Sequence, residues 1–196
     1  MGFTRKLVTM KVYQYKDYQQ YVDRQSIINK EKLYWTYVRR KTVKLICEDK
    51  KQANFIICHG TRSGAEQKFF KKFFPNAYII GTEISDTAWQ FPMTIQHDFT
   101  KIKEQWIDKA DIIYSNSFDH TIDPITTIQT WRDQLNKTGR IYLEYSERQS
   151  IGNEDDPLDA TNEEIEHLII NNNLDIISKI TEDISHGGIV FVCEKK

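Results

Sequence analysis

From residue 54 onward, short apolar runs alternate with amphipathic stretches. Phe55-Ile56-Ile57-Cys58 has the continuous apolar character of a buried strand. It runs into His59-Gly60-Thr61-Arg62-Ser63-Gly64, a turn. Ala65, Phe69, Phe70, Phe73 and Phe74 then recur on one helical face, and Pro75-Asn76 stops that helix. Ala77 to Glu83 predicts a second strand, Thr94 to Asp98 a shorter third and Asp111 to Asn116 a fourth. A helix from about Pro124 to Asn136 leads through Gly139 into a fifth strand, Arg140 to Tyr145. Residues 148 to 160 are polar and acidic and read as a loop. Thr161-Asn162-Glu163-Glu164 has the spacing of a capping box, which starts a helix. Two more strands, Leu174 to Ile180 and Ile189 to Cys193, flank the hairpin signal Gly187-Gly188.

Residues 1–50 carry a different pattern, rich in Tyr, Lys and Gln. Ser26 is placed to cap a helix whose apolar residues are Ile27, Ile28, Tyr34, Trp35, Val38, Leu45 and Ile46. The chain therefore divides into a helical extension over 1–50 and an α/β domain over 51–196. Alternating strands and helices predict a doubly wound, mainly parallel sheet covered on both faces, and the closing hairpin adds an antiparallel strand. Such open sheets bind ligands at the carboxyl ends of their strands. The aromatic group Tyr34, Trp35 and Tyr37 fits a cap over an acceptor pocket, a self-association surface, or ordinary helix packing.

Composition narrows the classes. Of 196 residues, 39% are hydrophobic and 28% charged, which is too apolar for a disordered chain. A net charge of -1 gives no reason to expect nucleic acid or an anionic membrane as partner. The three cysteines are widely spaced and form neither a metal pair nor a disulfide framework, so a reducing cytoplasm is expected. No apolar run is long enough to span a bilayer, and the N-terminus lacks the order of a secretion signal. Met1-Gly2 opens a myristoylation pattern, but Lys6 stands where Ser or Thr is needed.

Chemistry concentrates at the strand ends. Gly60 and Gly64 sit in the turn that opens the first helix, where free N–H groups and the helix dipole favour an anionic or polar ligand. Glu83 follows Gly60 by 23 positions, near the spacing of ~20 at which a carboxylate takes both hydroxyls of a ribose. The plainer alternative is a turn glycine pair and a surface carboxylate. Asp98 ends the third strand, where a carboxylate can accept from an adenine amino group. Ile84 and Phe99 stand ready to pack on the base.

This order of glycine turn, Glu83, His97-Asp98-Phe99 and Asp111-Ile112-Ile113-Tyr114-Ser115-Asn116 resembles the class I S-adenosylmethionine-dependent methyltransferases. The resemblance covers roughly residues 54 to 195. It implies a seven-stranded Rossmann-like sheet, S-adenosylmethionine as cofactor, and methyl transfer. It implies that His59, Gly60, Thr61, Arg62 and Gly64 line the methionine part, with Glu83 on the ribose, and Ile84, Asp98 and Phe99 at the adenine. Ser115 and Asn116, with Ser117 to His120 after them, would pass under the reacting sulfur. Two positions depart from the pattern. Cys58 stands where an acidic residue is usual, and Arg62 takes a glycine position. Glu66 is a substitute for the missing acid. Arg62 either reaches the methionine carboxylate or points to solvent.

In-line methyl transfer gains much from alignment and dryness, and needs a base only if the acceptor must lose a proton. His120 is the candidate base, because an imidazole titrates near neutrality, and Asp119 stands beside it. Glu144 and Tyr145 face the acceptor side. No paired acidic motif suggests a catalytic metal, and Glu154-Asp155-Asp156 reads as a solvated loop. Trp89 and Phe91 fit either the cofactor cleft or the core. The expected acceptor is a small or sugar-like molecule, since Ser115-Asn116-Ser117-Phe118 lacks the Asn-Pro-Pro-Tyr segment of base-modifying relatives. Two alternatives stay open: a nicotinamide oxidoreductase, against which the missing second glycine of G-x-G-x-x-G counts, and a non-catalytic scaffold of the same fold.

Overall fold

The computed structural model describes residues 10–182, 184 and 187–196. Its strands are β1 (Lys11–Val12), β2 (Phe55–His59), β3 (Tyr78–Glu83), β4 (Thr94–Gln96), β5 (Ala110–Ser115), β6 (Leu135–Tyr145), β7 (Leu158–Asp159), β8 (Leu174–Ile180) and β9 (Ile189–Lys195). The helices are α1 (Tyr18–Glu31), α2 (Arg40–Asp49), α3 (Ala65–Phe73), α4 (Pro124–Gln134) and α5 (Asn162–Asn171). Seven strands form one sheet in the order β4-β3-β2-β5-β6-β9-β8. The first five of these are parallel, and β9 pairs antiparallel with both β6 and β8.

Side-chain alternation along each strand feeds two apolar layers. Ile57 and Ile113 face one side, with Trp131 of α4 and Ile165 and Leu168 of α5 packed over them. Ile56, Cys58, Ile112 and Tyr114 face the other, against Phe70 of α3 and Val43 and Ile46 of α2. Thr161 caps α5 as its spacing predicts: both arms of the box with Glu164 are present. Among the described residues no helix is long and apolar enough to cross a membrane.

The extension differs from its expected form. Ser26 lies inside α1, and the cap is Asp17, whose Oδ1 accepts from the Gln20 N–H at 2.8 Å. The acceptor is useful only where N–H groups lack a partner, which is the first turn. The helical run breaks after Lys32 and resumes at Arg40, so Tyr34 and Trp35 fall in a connection. They are 94% and 60% exposed, while Ile28, Val38 and Ile46 are buried. Residues 148–160 also hold more structure than a loop, because β7 pairs antiparallel with β1.

β6 begins at Leu135, ahead of its expected start, with a register shift against β5 between Ala110 and Ile112. Gly139 sits at that irregularity, where a Cβ would stand 2.4 Å from the Ala110 carbonyl oxygen. The obstacle is backbone, so it cannot rotate away. Gly139→Ala should therefore destabilise the fold by about 1–3 kcal/mol, the usual cost of overpacking. Urea unfolding of both proteins checks this.

Candidate active site

The strand order reverses between β2 and β5, and the crevice at their carboxyl ends is where open α/β sheets take ligands. The turn after β2 holds Gly60 at φ 71°, Arg62 at φ 42° and Gly64 at φ 72°. At Gly60 a side chain is sterically barred, since a Cβ would lie 2.6 Å from the Ser117 Cβ. The two turns are instead joined by hydrogen bonds. Ser117 Oγ donates to the Gly60 carbonyl at 2.9 Å, and Ser115 Oγ donates to the His59 carbonyl at 3.0 Å.

Glu83 ends β3 beside this turn. Its carboxylate accepts from the Arg62 N–H and the Ser85 N–H, each at 3.0 Å. Burial raises its pKa, and the two backbone donors oppose that shift. Asp98, after β4, accepts from the Thr100 N–H at 2.8 Å and from the Tyr18 hydroxyl at 2.7 Å. Both carboxylates line a small compartment of about 50 Å³, with Ile84 and Phe99. It opens past Gly60, Arg62, Ser117 and His120 into a larger one of about 220 Å³.

Helix α1 roofs the small compartment with Tyr21, Gln25, Ile28 and Asn29. Its ties to the body are largely polar. Tyr21 donates to the His120 carbonyl at 3.1 Å, and Thr87 donates to Asn29 at 2.7 Å. Arg24 Nε donates to Asp155 at 2.8 Å and Gln25 to the Asp155 carbonyl at 3.0 Å. Glu154-Asp155-Asp156 is therefore a docked segment, in place of the solvated loop its acidity suggested. Asp155 is satisfied by a helix that is remote in sequence.

His120 borders both compartments. Its Nδ1 lies 2.9 Å from the Asp155 carbonyl, which can only accept, so Nδ1 carries the proton. In the neutral ring Nε2 is then the bare nitrogen. Asp119 Oδ1 stands 4.0 Å from Nε2, and Asp156 Oδ1 stands 3.7 Å from Nδ1. These three side chains could offer ligand atoms to a cation within 4.8 Å of one another, although all three are only partly buried.

Not every expected site residue meets in the cleft. His59 is turned into the core, where Nδ1 meets Thr82 Oγ1 at 3.0 Å, Nε2 meets Gln134 Oε1 at 2.9 Å, and the ring stacks on Trp131 at 5.0 Å. Parallel register puts that side chain in the layer under α4, away from the ligand side. Ser115 is fully buried and serves as the strut described above. The Thr61 hydroxyl accepts from Gln67 at 3.0 Å, leaving its backbone on the large compartment. Gly64 is buried at the start of α3. Arg62 neither projects into solvent nor pairs with an acid among the described residues; its guanidinium lies 5.1 Å over the Tyr37 ring. Glu66 and Asn116 line the large compartment. Trp89 is 73% exposed, its Nε1 donating to Gln96 at 3.2 Å, so it belongs to neither cleft nor core.

Trp35 and Tyr37 of the extension border the larger compartment, as one reading of that aromatic group expected, but the face of α1 over the smaller one has no apolar signature. Positions 18, 21, 25 and 28 share one face of a helix, a stripe that mixes Tyr and Gln with a single Ile. A search for apolar periodicity passes over such a stripe, yet it is the face that meets the cleft.

No protein-family model and no curated protein sequence matches the chain. Solved structures do match in fold. The 1,6-didemethyltoxoflavin-N1-methyltransferase of Burkholderia thailandensis, with S-adenosylhomocysteine bound, gives a TM-score of 0.70 at 11% identity, over 93% of this chain and 92% of that one. The magnesium protoporphyrin IX methyltransferase of Synechocystis, with S-adenosylmethionine bound, gives 0.63 at 9% identity, over 93% and 100%. A TehB-like S-adenosylmethionine-dependent methyltransferase of Corynebacterium glutamicum gives 0.61 at 14% identity, over 79% and 86%. The fold is thus that of the class I S-adenosylmethionine-dependent methyltransferases, a Rossmann-like seven-stranded sheet with a C-terminal antiparallel hairpin.

The buried His59 makes a pH prediction. Burial lowers its pKa to about 3, so below an unfolded value near 6.5 the unfolded chain takes up a proton that the fold refuses. Its share of stability is complete above about pH 6.5 and is lost as pH falls toward 3. Between pH 7 and 5 that loss should be about 2 kcal/mol. Urea midpoints at both pH values should show a smaller drop for His59→Gln than for the parent.

Proposed function

We propose that the protein transfers a methyl group from S-adenosylmethionine to a small-molecule acceptor. The observation that carries this reading is the pair Glu83 and Asp98. These two carboxylates end neighbouring strands and face one cleft beside a turn that bars a side chain at Gly60. Glu83 keeps lone pairs for the ribose hydroxyls after its two backbone bonds, and Asp98 offers one to the adenine amino group. Ile84 and Phe99 flank the base. Gly60, Thr61, Arg62 and Asn116, which line the larger compartment, surround the methionine part through backbone and side chains. The compartment under α1 measures about 50 Å³, so adenosine entry requires that helix to yield.

When bound, the cofactor supplies an electrophilic methyl on a sulfonium. The protein's part is to align the acceptor and to move a proton. The Asp155 carbonyl accepts from Nδ1–H of His120, which leaves Nε2 of the neutral ring as the nitrogen able to act as a base, 4.0 Å from Asp119 Oδ1. With a protic acceptor, Nε2 of His120 would take the proton that the acceptor heteroatom loses as it gains the methyl, the carbon–sulfur bond of the sulfonium breaking to leave the neutral thioether. The acceptor side is bounded by Trp35, Tyr37, Asn116 and Gln149, the scale and polarity of a small polar molecule. The structural neighbours named for toxoflavin and porphyrin substrates are enzymes of small molecules, which supports that class. The cysteines are free and buried, in keeping with a cytoplasmic setting.

Calorimetric titration with S-adenosylmethionine and with NADH tests the reading. Binding of S-adenosylmethionine alone is expected, and Glu83→Ala should weaken it by about 1–3 kcal/mol, the cost of losing a buried polar partner. Binding of NADH alone would overturn it in favour of an oxidoreductase. Binding of neither would favour a scaffold that keeps the fold without the ligand.

A further inference from the structure

Glu66, in the first turn of α3, is 6% exposed, yet its Oε2 has no hydrogen-bond partner among the described residues. It borders the larger compartment beside Thr61, Arg62 and Asn116. A buried carboxylate left this way is costly, and it either binds a proton or acquires a cation. Among the described residues no cation makes an ion pair with it. Arg62, which acts on Glu66 at long range, stacks on Tyr37 and makes no ion pair with it among the described residues.

The other groups facing Glu66 give it little help. Cys58 of β2 and Tyr114 of β5 are fully buried, and burial raises the pKa of each well above its ordinary value, so both are neutral. Tyr114 donates its hydroxyl to Glu144 of β6 at 2.6 Å. Glu144 and Glu83 of β3 are negative neighbours that disfavour a charge on Glu66. With burial as the largest cause, its pKa is raised to about 8. Near pH 7 the unliganded site therefore holds a neutral carboxylic acid at the edge of the cleft.

We infer that Glu66 is the counter-ion of the cofactor's α-ammonium group, and that loading the cofactor expels the proton from Glu66. The inference rests on the methyl-donor reading above. The ligand's ammonium is already protonated at neutral pH, so pairing leaves one carboxylate, one ammonium and one proton released to solvent. Cys58 cannot serve in this place, since a buried neutral thiol offers no charge. Affinity should rise with pH until Glu66 is ionised in the free protein, near 8, and then level off.

Calorimetry of the full chain at pH 7, in phosphate and in Tris, counts the proton from the difference in apparent enthalpy. S-adenosylhomocysteine should release close to one proton. 5′-Methylthioadenosine, which lacks the ammonium, should release none. Glu66→Gln should abolish the release and weaken S-adenosylhomocysteine about 10- to 100-fold, the scale of a charged hydrogen bond, while leaving methylthioadenosine unchanged. Proton-silent binding of S-adenosylhomocysteine to the parent protein, or equal weakening of both ligands in the variant, would overturn the assignment. Failure of the parent to bind either nucleoside would remove the methyl-donor reading itself, and this inference with it.

Discussion

Two backbone N–H groups, those of Arg62 and Ser85, hold the Glu83 carboxylate at the end of β3, and the cleft takes its shape from that contact. One donor belongs to the turn after β2 and the other to the segment after β3. The carboxylate therefore locks two loops together while presenting its remaining lone pairs to the crevice. Ser115 and Ser117 make the matching joint between β2 and β5. Hydrogen bonds thus tie the turns on both sides of the switch point to one another before any ligand arrives, whereas the roof that α1 forms must yield.

Charge in this region is controlled by burial. Burial keeps His59 neutral, against the opposing pull of its Gln134 hydrogen bond, so this side chain adds no positive charge beneath the turn. Glu66 is held as an acid whose proton a cation can displace. His120, by contrast, is only partly buried, and its orientation comes from a hydrogen bond. Two histidines at the ends of adjacent strand segments thus do different work: one is packing, the other borders both compartments.

The parallel sheet was legible because its strands are fully buried, and full burial leaves continuous apolar runs such as Phe55 to Cys58. Glu83, Asp98 and the Thr161 box were legible because they stand at fixed offsets from those runs. What could not be read depends on contacts between distant segments. Asp17 and Ser26 are equally good caps by type, and tertiary context puts the helix start at one of them. His59 and Ser115 end strands as a ligand residue would, but the parity of the register turns them inward. The polar face of α1 carries no apolar signature, because its partners are Asp98, Asp155 and the His120 carbonyl.

The most direct measurement is a crystal structure of the full chain with S-adenosylhomocysteine. The ribose hydroxyls should lie within hydrogen-bond distance of Glu83, the adenine amino group should lie on Asp98, and Tyr18 should have moved to admit it. Electron density for the ligand elsewhere on the protein, with Glu83 and Asp98 unchanged, would contradict the assignment of this cleft.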